Sequence, residues 1–247
     1  MINKLKYSIK RGYNLLKYKG KKYKCPICGY CANSFMPAGL YEKRLNSACP
    51  DCRSLVRHRH MWIFINEMLK DQKDTPLKII HFAPEKCLSS KLSNISNVEY
   101  FTSEYDRSKS SDFHFNLEKI NHEGNHFNYI ICSHVLEHVK DDLLALKELK
   151  RILKVGGKAF LQVPIWPSEY HYTYENFNII DPRDRAITFG QYDHLRIYGL
   201  DIVERMESAG FKVKIVNIEE NFSDEEIDYY RLHNSNDIRE LIFECTK

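Results

Sequence analysis

The 247-residue chain has no apolar run near the ~18–20 residues that a bilayer-spanning helix needs. Its opening, MINKLKYSIK, lacks the apolar core of roughly 7–15 residues that marks a secretory signal. It also lacks the cysteine density of a disulfide scaffold: of eight cysteines, four fall in two Cys-Pro-x-Cys units, and Cys31, Cys87, Cys132 and Cys245 are scattered. These absences exclude a small secreted fold and point to the reduced cytoplasm. Acid is missing from residues 1–24, which hold nine Lys/Arg, so the remaining 223 residues carry 28 basic against 33 acidic side chains. A basic arm ahead of a mildly acidic body is either a solvated tail or a contact for something anionic. Tyr7, Tyr13, Tyr18 and Tyr23 interleave with its lysines, a pattern suited to base stacking or to docking on the chain's own body. What remains, 43% hydrophobic and 28% charged residues, suffices for one domain with a small appendage.

The strongest local signal is Cys25-Pro-Ile-Cys28-Gly followed, twenty residues on, by Cys49-Pro-Asp-Cys52-Arg. Each short turn aims two thiolates at one point, and two such turns complete a tetrahedron, the pattern of a four-cysteine zinc site. Pro26 and Pro50 stiffen the turns, and Gly29 permits a positive φ where the chain turns back. Four thiolates leave no position for water, so this Zn2+ holds a fold and does no chemistry. Cys31 reads as packing. From Ser54, a natural N-cap, a helix is expected to about Lys73, with Leu55, Trp62, Ile65 and Leu69 on one face and His58 and His60 as polar neighbours of the ribbon.

Beyond Thr75 strands and helices alternate. Leu77–Phe82, Val98–Thr102, a weak Phe113–Leu117, Tyr129–Cys132 and Lys158–Val163 read as strands, with helices to about Leu92 and from Asp141–Asp142 through Leu153, where Gly156-Gly157 is expected to stop the second. Alternation with short connections means a parallel sheet covered on both faces, with ligands outside the carboxyl ends of its strands.

Ile-Cys-Ser-His-Val-Leu-Glu-His-Val (131–139), Arg-Ile-Leu-Lys-Val-Gly-Gly-Lys (151–158) and Glu-Ser-Ala-Gly-Phe (207–211) resemble signatures of the class I S-adenosylmethionine-dependent methyltransferases. Leu-Lys-Ile-Ile-His-Phe-Ala-Pro-Glu (77–85) and Phe-Gly-Gln-Tyr-Asp-His-Leu-Arg-Ile-Tyr-Gly (189–199) are similar to a type 11-like subgroup with a cysteine zinc module ahead of that domain. The resemblance implies an α/β, Rossmann-like fold with a mostly parallel, seven-stranded sheet preceded by a zinc ribbon. Its last two strands form an antiparallel hairpin, supplied here by Phe211–Asn217 and Leu241–Thr246. The implied organisation is a basic arm (1–24), a zinc ribbon (25–53), a connecting helix (54–74) and the methyltransferase domain (75–247). The segment 164–190, with Trp166, Tyr170, His171, Tyr172 and Tyr174, is inserted there as a substrate lid.

For the cofactor, S-adenosylmethionine, the resemblance implies the following residues. His81 and Ala83-Pro84-Glu85 replace the usual acid and Gly-x-Gly turn: Ala83 keeps close approach, Pro84 loses a donor, and Glu85 accepts from the methionine ammonium. Glu104, with Asp106 as competitor, takes the ribose hydroxyls, since a carboxylate accepts two hydrogen bonds at once. Asn116 and Leu117 fall at the adenine, and Ser133 ends the fourth strand. Opposite, His134 and His194 are candidate general bases, with Tyr192 and Arg196 on the acceptor, Arg196 as clamp for a phosphate or carboxylate. Glu137 and His138 follow His134 at helical spacing. Certain methyltransferases with a similar acidic-x-x-Glu-His segment bind a divalent metal there, completed by a later histidine, here His194. The leading expectation is methylation of a hydroxyl or amine on a small anionic metabolite such as a sugar, nucleotide-linked or phosphorylated intermediate. An RNA methyltransferase gripping phosphates with the ribbon and basic arm is the alternative, against which no Asn/Asp-Pro-Pro-Tyr motif occurs and Cys132 lacks a preceding Pro. A non-catalytic interaction scaffold is the third.

Overall fold

The computed structural model describes residues 2–39, 43–165, 171–233 and 240–247, with side chains from Ile9 onward. Trp166 and Tyr170 of the expected lid lie outside the described residues. The chain forms two compact units: residues 1–73, 85–91 and 217–235 make the first, and 74–84, 92–216 and 236–247 the second.

The first unit opens with α1 (Ile2–Tyr18) and β1 (Lys19–Lys24), so the basic arm is ordered structure. Within this unit the arm contacts its neighbours: Tyr30 Oη donates to Leu15 O at 2.5 Å, and Arg11 pairs with Asp51. β1 pairs antiparallel with β2 (Cys31–Ala32), and β3 (Met36–Ala38) with β4 (Arg44–Ala48). Each ribbon flanks one Cys-Pro-x-Cys turn. The turns are built alike: Gly29 N donates to Cys25 O at 2.9 Å and Arg53 N to Cys49 O at 3.1 Å. Gly29 has φ +77°, as its position demands, while Arg53 takes φ +65° without glycine's freedom.

α2 spans Val56–Lys70, with Leu55 rather than Ser54 as its cap. Ser54 is fully buried and turned to the cysteines instead. Arg59 on α2 is buried too; it donates to the carbonyls of Ser47, Ser54 and Arg231 at 2.7–3.2 Å. Burial pushes its pKa down to about 10 against the opposing pull of the cysteines.

The second unit is a six-stranded sheet. β5 (Leu77–Phe82), which precedes α3 (Lys86–Leu92), lies between β6 (Val98–Ser103) and β7 (Phe127–Ser133), both parallel to it. The short turn Leu136–His138 and α4 (Asp142–Ile152) lead to β8 (Leu153–Gln162), parallel to β7. β9 (Tyr174–Glu175), α5 (Pro182–Phe189), β10 (Arg196–Ile197) and α6 (Ile202–Ser208) follow. β11 (Lys212–Val216) reaches β12 (Ile242–Thr246) by way of α7 (Asp224–Tyr230), which belongs to the first unit. The expected terminal hairpin is present: β12 runs antiparallel to both β11 and β8. Apolar runs such as Phe127–Cys132 suit strands covered on both faces, and Ala145, Leu146, Leu149 and Ile152 of α4 are fully buried.

Two further expectations need correction. Among the described residues the sheet has six strands and not seven: Phe113 makes a single bridge to Ser103, and Phe113 and Phe115 stack at 4.7 Å and pack apolar surface instead of extending a ladder. Gly156-Gly157 does not stop α4, which ends at Ile152; the pair lies in a bulged stretch of β8, where Gly156 has φ +74° and a Cβ on Gly157 would meet Asn128 O at 2.9 Å. Among the described residues no helix is long and apolar enough to cross a membrane.

Candidate active site and metal centres

β7 ends at Ser133, whose Oγ donates to Gln162 Oε1 at 3.1 Å, and the chain turns sharply at His134, which adopts φ +54°. A non-glycine residue in the left-handed region is costly, and such strain collects at functional sites. The turn that follows is held from β10. Arg196, 1% exposed, donates to Leu136 O at 2.9 Å, Val139 O at 2.6 Å, Lys140 O at 2.9 Å and the Glu175 carboxylate at 2.9 Å. Leu195 N donates to Glu137 O at 2.9 Å. Tyr198 Oη donates to Asp142 Oδ2 at 2.9 Å, and Arg205 joins Asp142 to Glu175. Arg196 is therefore not the substrate clamp expected of it: its donors are taken by three backbone carbonyls and the Glu175 carboxylate.

This bracing gathers four side chains. Glu137 is fully buried, and among the described residues neither carboxylate oxygen has a hydrogen-bond partner. His134 Nδ1 stands 3.4 Å from Glu137 Oε1 and its Nε2 3.1 Å from Glu240 Oε2. His194 Nδ1 lies 3.0 Å from Phe189 O and its Nε2 4.0 Å from Glu137 Oε1. His138 meets His194 edge-on at 4.7 Å between ring centroids, and its Nδ1 lies 3.3 Å from Asp193 Oδ2. One ligand atom each from Glu137, His138 and His194 lie within 4.8 Å of one another. Burial alone raises the Glu137 carboxyl; His134, with His138 and His194, outweighs it and holds the group below the usual range. Burial lowers His194 despite Glu137. Tyr192, expected on the acceptor, is 54% exposed.

At the carboxyl ends of β5 and β6, His81 is buried with Nδ1 2.9 Å from Tyr100 Oη. Ala83 adopts φ +48° and donates its N–H to Ser103 O at 2.8 Å, the backbone turn that glycine would make more cheaply, with Pro84 next. Glu104 sits at the end of β6 with its side chain 13% exposed and Lys109 Nζ at 2.9 Å, while Asp106 lies in the open, accepting from Ser108 N. Asn116 is exposed, and its Oδ1 accepts from Glu118 N at 3.0 Å, which commits it to a turn; Leu117 is buried in the core. Glu85 belongs to the first unit, where its carboxylate is 3.4 Å from His58 Nε2.

In the first unit Cys25, Cys28, Cys49 and Cys52 form one group, with Cys25–Cys52 and Cys28–Cys49 sulfurs each 3.6 Å apart. Zn–S bonds near 2.3 Å place tetrahedral sulfurs about 3.8 Å apart, so the quartet fits. Ser54 Oγ lies 3.3 Å from Cys25 Sγ and 3.2 Å from Cys52 Sγ. Cys31, His58 and His60 stand outside the group.

A family model described as a methyltransferase domain matches residues 11–216. The chain belongs to that family. It is an S-adenosylmethionine-dependent methyltransferase, and no curated protein sequence matches it. Among solved structures it is similar to an S-adenosylmethionine-dependent methyltransferase from Mesorhizobium loti, with 12% identity, a TM-score of 0.52, and coverage of 78% of this chain and 100% of that one. The CurJ carbon methyltransferase is similar at 13% identity and TM-score 0.53, over 78% and 56% of the two chains. So is the [4+2]-cyclase SpnF, at 12% and 0.53, over 97% and 95%. Likeness this remote speaks for the fold alone.

In this methyltransferase the residues that sequence reasoning missed are the braces: Glu175, Tyr198, Arg205 and Glu240. Asp142, expected only at the start of the helix, is 3% exposed and binds Tyr198 and Arg205, while Asp141 caps α4 by accepting from Leu144 N at 2.9 Å. The dense run Gln191–Arg196 was the one signal that this stretch serves the site.

Proposed function

We propose that this methyltransferase moves the methyl group of S-adenosylmethionine onto a hydroxyl of a small metabolite, with His134 as general base. The observation that carries the reading is His134 itself, set in a strained turn at the end of β7 with a carboxylate against each ring nitrogen. Imidazole near neutral pH is suited to accept a proton, and flanking carboxylates stabilise the imidazolium that forms. The sulfonium needs little further activation, so the protein's task is alignment and exclusion of water. The acceptor hydroxyl takes the place of Glu240 at His134 Nε2, gives its proton to that nitrogen while Nδ1–H stays directed at Glu137, and forms the new bond to the methyl carbon. The sulfur–carbon bond breaks with its electron pair kept by sulfur, leaving a neutral thioether. Glu104, enclosed and ending β6, is the residue best placed to accept from the ribose hydroxyls. With Arg196 committed to three carbonyls and to Glu175, it no longer argues for an anionic acceptor over a neutral one.

The cysteine quartet we assign to structural Zn2+, supported by the 3.6 Å sulfur spacings and the two matched turns. Replacing His134 by Gln tests the base. Labelled methyl transfer to a panel of sugars and sugar nucleotides should fall by about 10²–10⁴ while cofactor affinity by calorimetry stays within about twofold. Transfer at the unaltered rate would refute the role.

A further inference from the structure

We propose that Glu137, His138 and His194 form a divalent-cation site with open coordination positions, separate from the cysteine quartet. The first observation is an electrostatic deficit: Glu137 is 0% exposed, and among the described residues neither oxygen accepts a hydrogen bond. His134 Nδ1 stands 3.4 Å from Oε1 without closing a hydrogen bond, and a buried carboxylate that lacks hydrogen bonds is disfavoured unless a cation completes its contacts. The second is orientation. His194 Nδ1 is 3.0 Å from the carbonyl of Phe189, an acceptor only, so that nitrogen carries the proton and Nε2 presents its lone pair. That lone pair is 4.0 Å from Glu137 Oε1, so two acceptors face each other. A first-row cation with bonds near 2.0–2.2 Å would bring them together by a movement under about 1 Å. The third is support around the ligands: His138 Nδ1 is against Asp193, which leaves Nε2 as its open nitrogen, the carboxylate–histidine pairing that orients metal ligands.

His134 is the neighbour of this group rather than a member. Its Nε2 is engaged by Glu240, and the three-residue group within 4.8 Å omits it. Two imidazoles and one carboxylate suit Zn2+, Co2+, Mn2+ or Fe2+, and three protein ligands leave positions free, unlike the closed thiolate set. The chemistry this adds rests on the proposed function: an acceptor hydroxyl bound to the cation would lose its proton to His134 more readily, the oxygen then taking the methyl as above. The site itself does not depend on that reading.

Protein with its cysteine site loaded with Zn2+ should be titrated by calorimetry with Mn2+ and, separately, Co2+, ions that do not compete well for four thiolates held by zinc. One equivalent should bind. His194→Asn should weaken binding at least about a hundredfold, and His138→Asn, at a partly exposed position, at least about tenfold. Glu137→Gln, which keeps the volume, should abolish it; if that buried variant does not fold, the two histidine variants decide. No heat with either ion, or affinity undiminished in both histidine variants, overturns the site. His134→Gln should still bind one equivalent of cation; cation binding retained with methyl transfer at the unaltered rate would overturn the base assignment alone and leave the site standing.

Discussion

The cysteine quartet and the Glu137 group are both clusters of metal-ligating side chains, yet they are built in opposite ways. The quartet comes from two near-copies of one turn, each closing on itself within a few residues, and its donors are identical. The Glu137 group joins two adjacent residues to a histidine 56 positions later, with mixed donors, and it is held by a buried arginine from the neighbouring β10. A site made of local repeats is written in spacing; a site made by tertiary bracing depends on groups that no spacing reveals. In the assignments proposed above, four thiolates would saturate a zinc ion while three ligands would leave positions open, which would separate a fold-holding role from a chemical one.

The sharpest way to break this comparison is Cys49→Ser. Structural zinc contributes apparent folding free energies of about 10–16 kcal/mol in small zinc domains. The variant should lose its zinc by elemental analysis and lose the protection of β1–β4 amides in hydrogen exchange, while the six-stranded sheet stays protected. Loss of protection throughout would show the units to be one cooperative body. Next in size is Arg196→Met. It strips the carbonyls of Leu136, Val139 and Lys140 of their donors and leaves Glu175 without one partner, so destabilisation of about 3–5 kcal/mol is expected in urea unfolding. Methyl transfer should fall with zinc content unchanged; an exposed anion clamp would instead raise KM and leave stability alone. The smallest effect is Ser54→Ala, which removes a hydroxyl beside two thiolates. About 1 kcal/mol of stability should go, with faster zinc loss to a competing chelator. Unchanged release would mean the hydroxyl only fills space.

Most of the fold was legible because its signals are local and redundant. Leu77–Phe82 came out as an element to the residue, since a buried parallel strand is nearly all apolar and its limits are marked by Pro76 and Pro84. Phe113–Leu117 failed for a complementary reason: alternate aromatics satisfy strand periodicity, but here they stack on one another and leave the ladder after one bridge. Gly156-Gly157 was misplaced because two glycines mark a helix stop and a strand bulge equally well. At the site, Arg196 was found as a residue and misjudged in role, since three of its partners are backbone carbonyls, which carry no residue-type signal, and the fourth, Glu175, lies 21 residues earlier. Glu240 went unseen because its partner His134 lies 106 residues away and nothing near Glu240 resembles a motif.

The first unit draws on three separate stretches of chain, with 85–91 arriving just after β5 and 217–235 from the connection between β11 and β12. Genetic excision at residue 74 would thus yield no clean halves. The amino-terminal fragment would lack α7 and the residues just past it, where the carbonyls of Arg231 and Leu232 receive the buried Arg59 and His60 side chains, and the carboxyl-terminal fragment would carry orphaned helices. Inheritance of the cysteine module and the catalytic sheet must then be joint: recombination could not trade one for a foreign counterpart without also rewriting a hairpin near the far terminus.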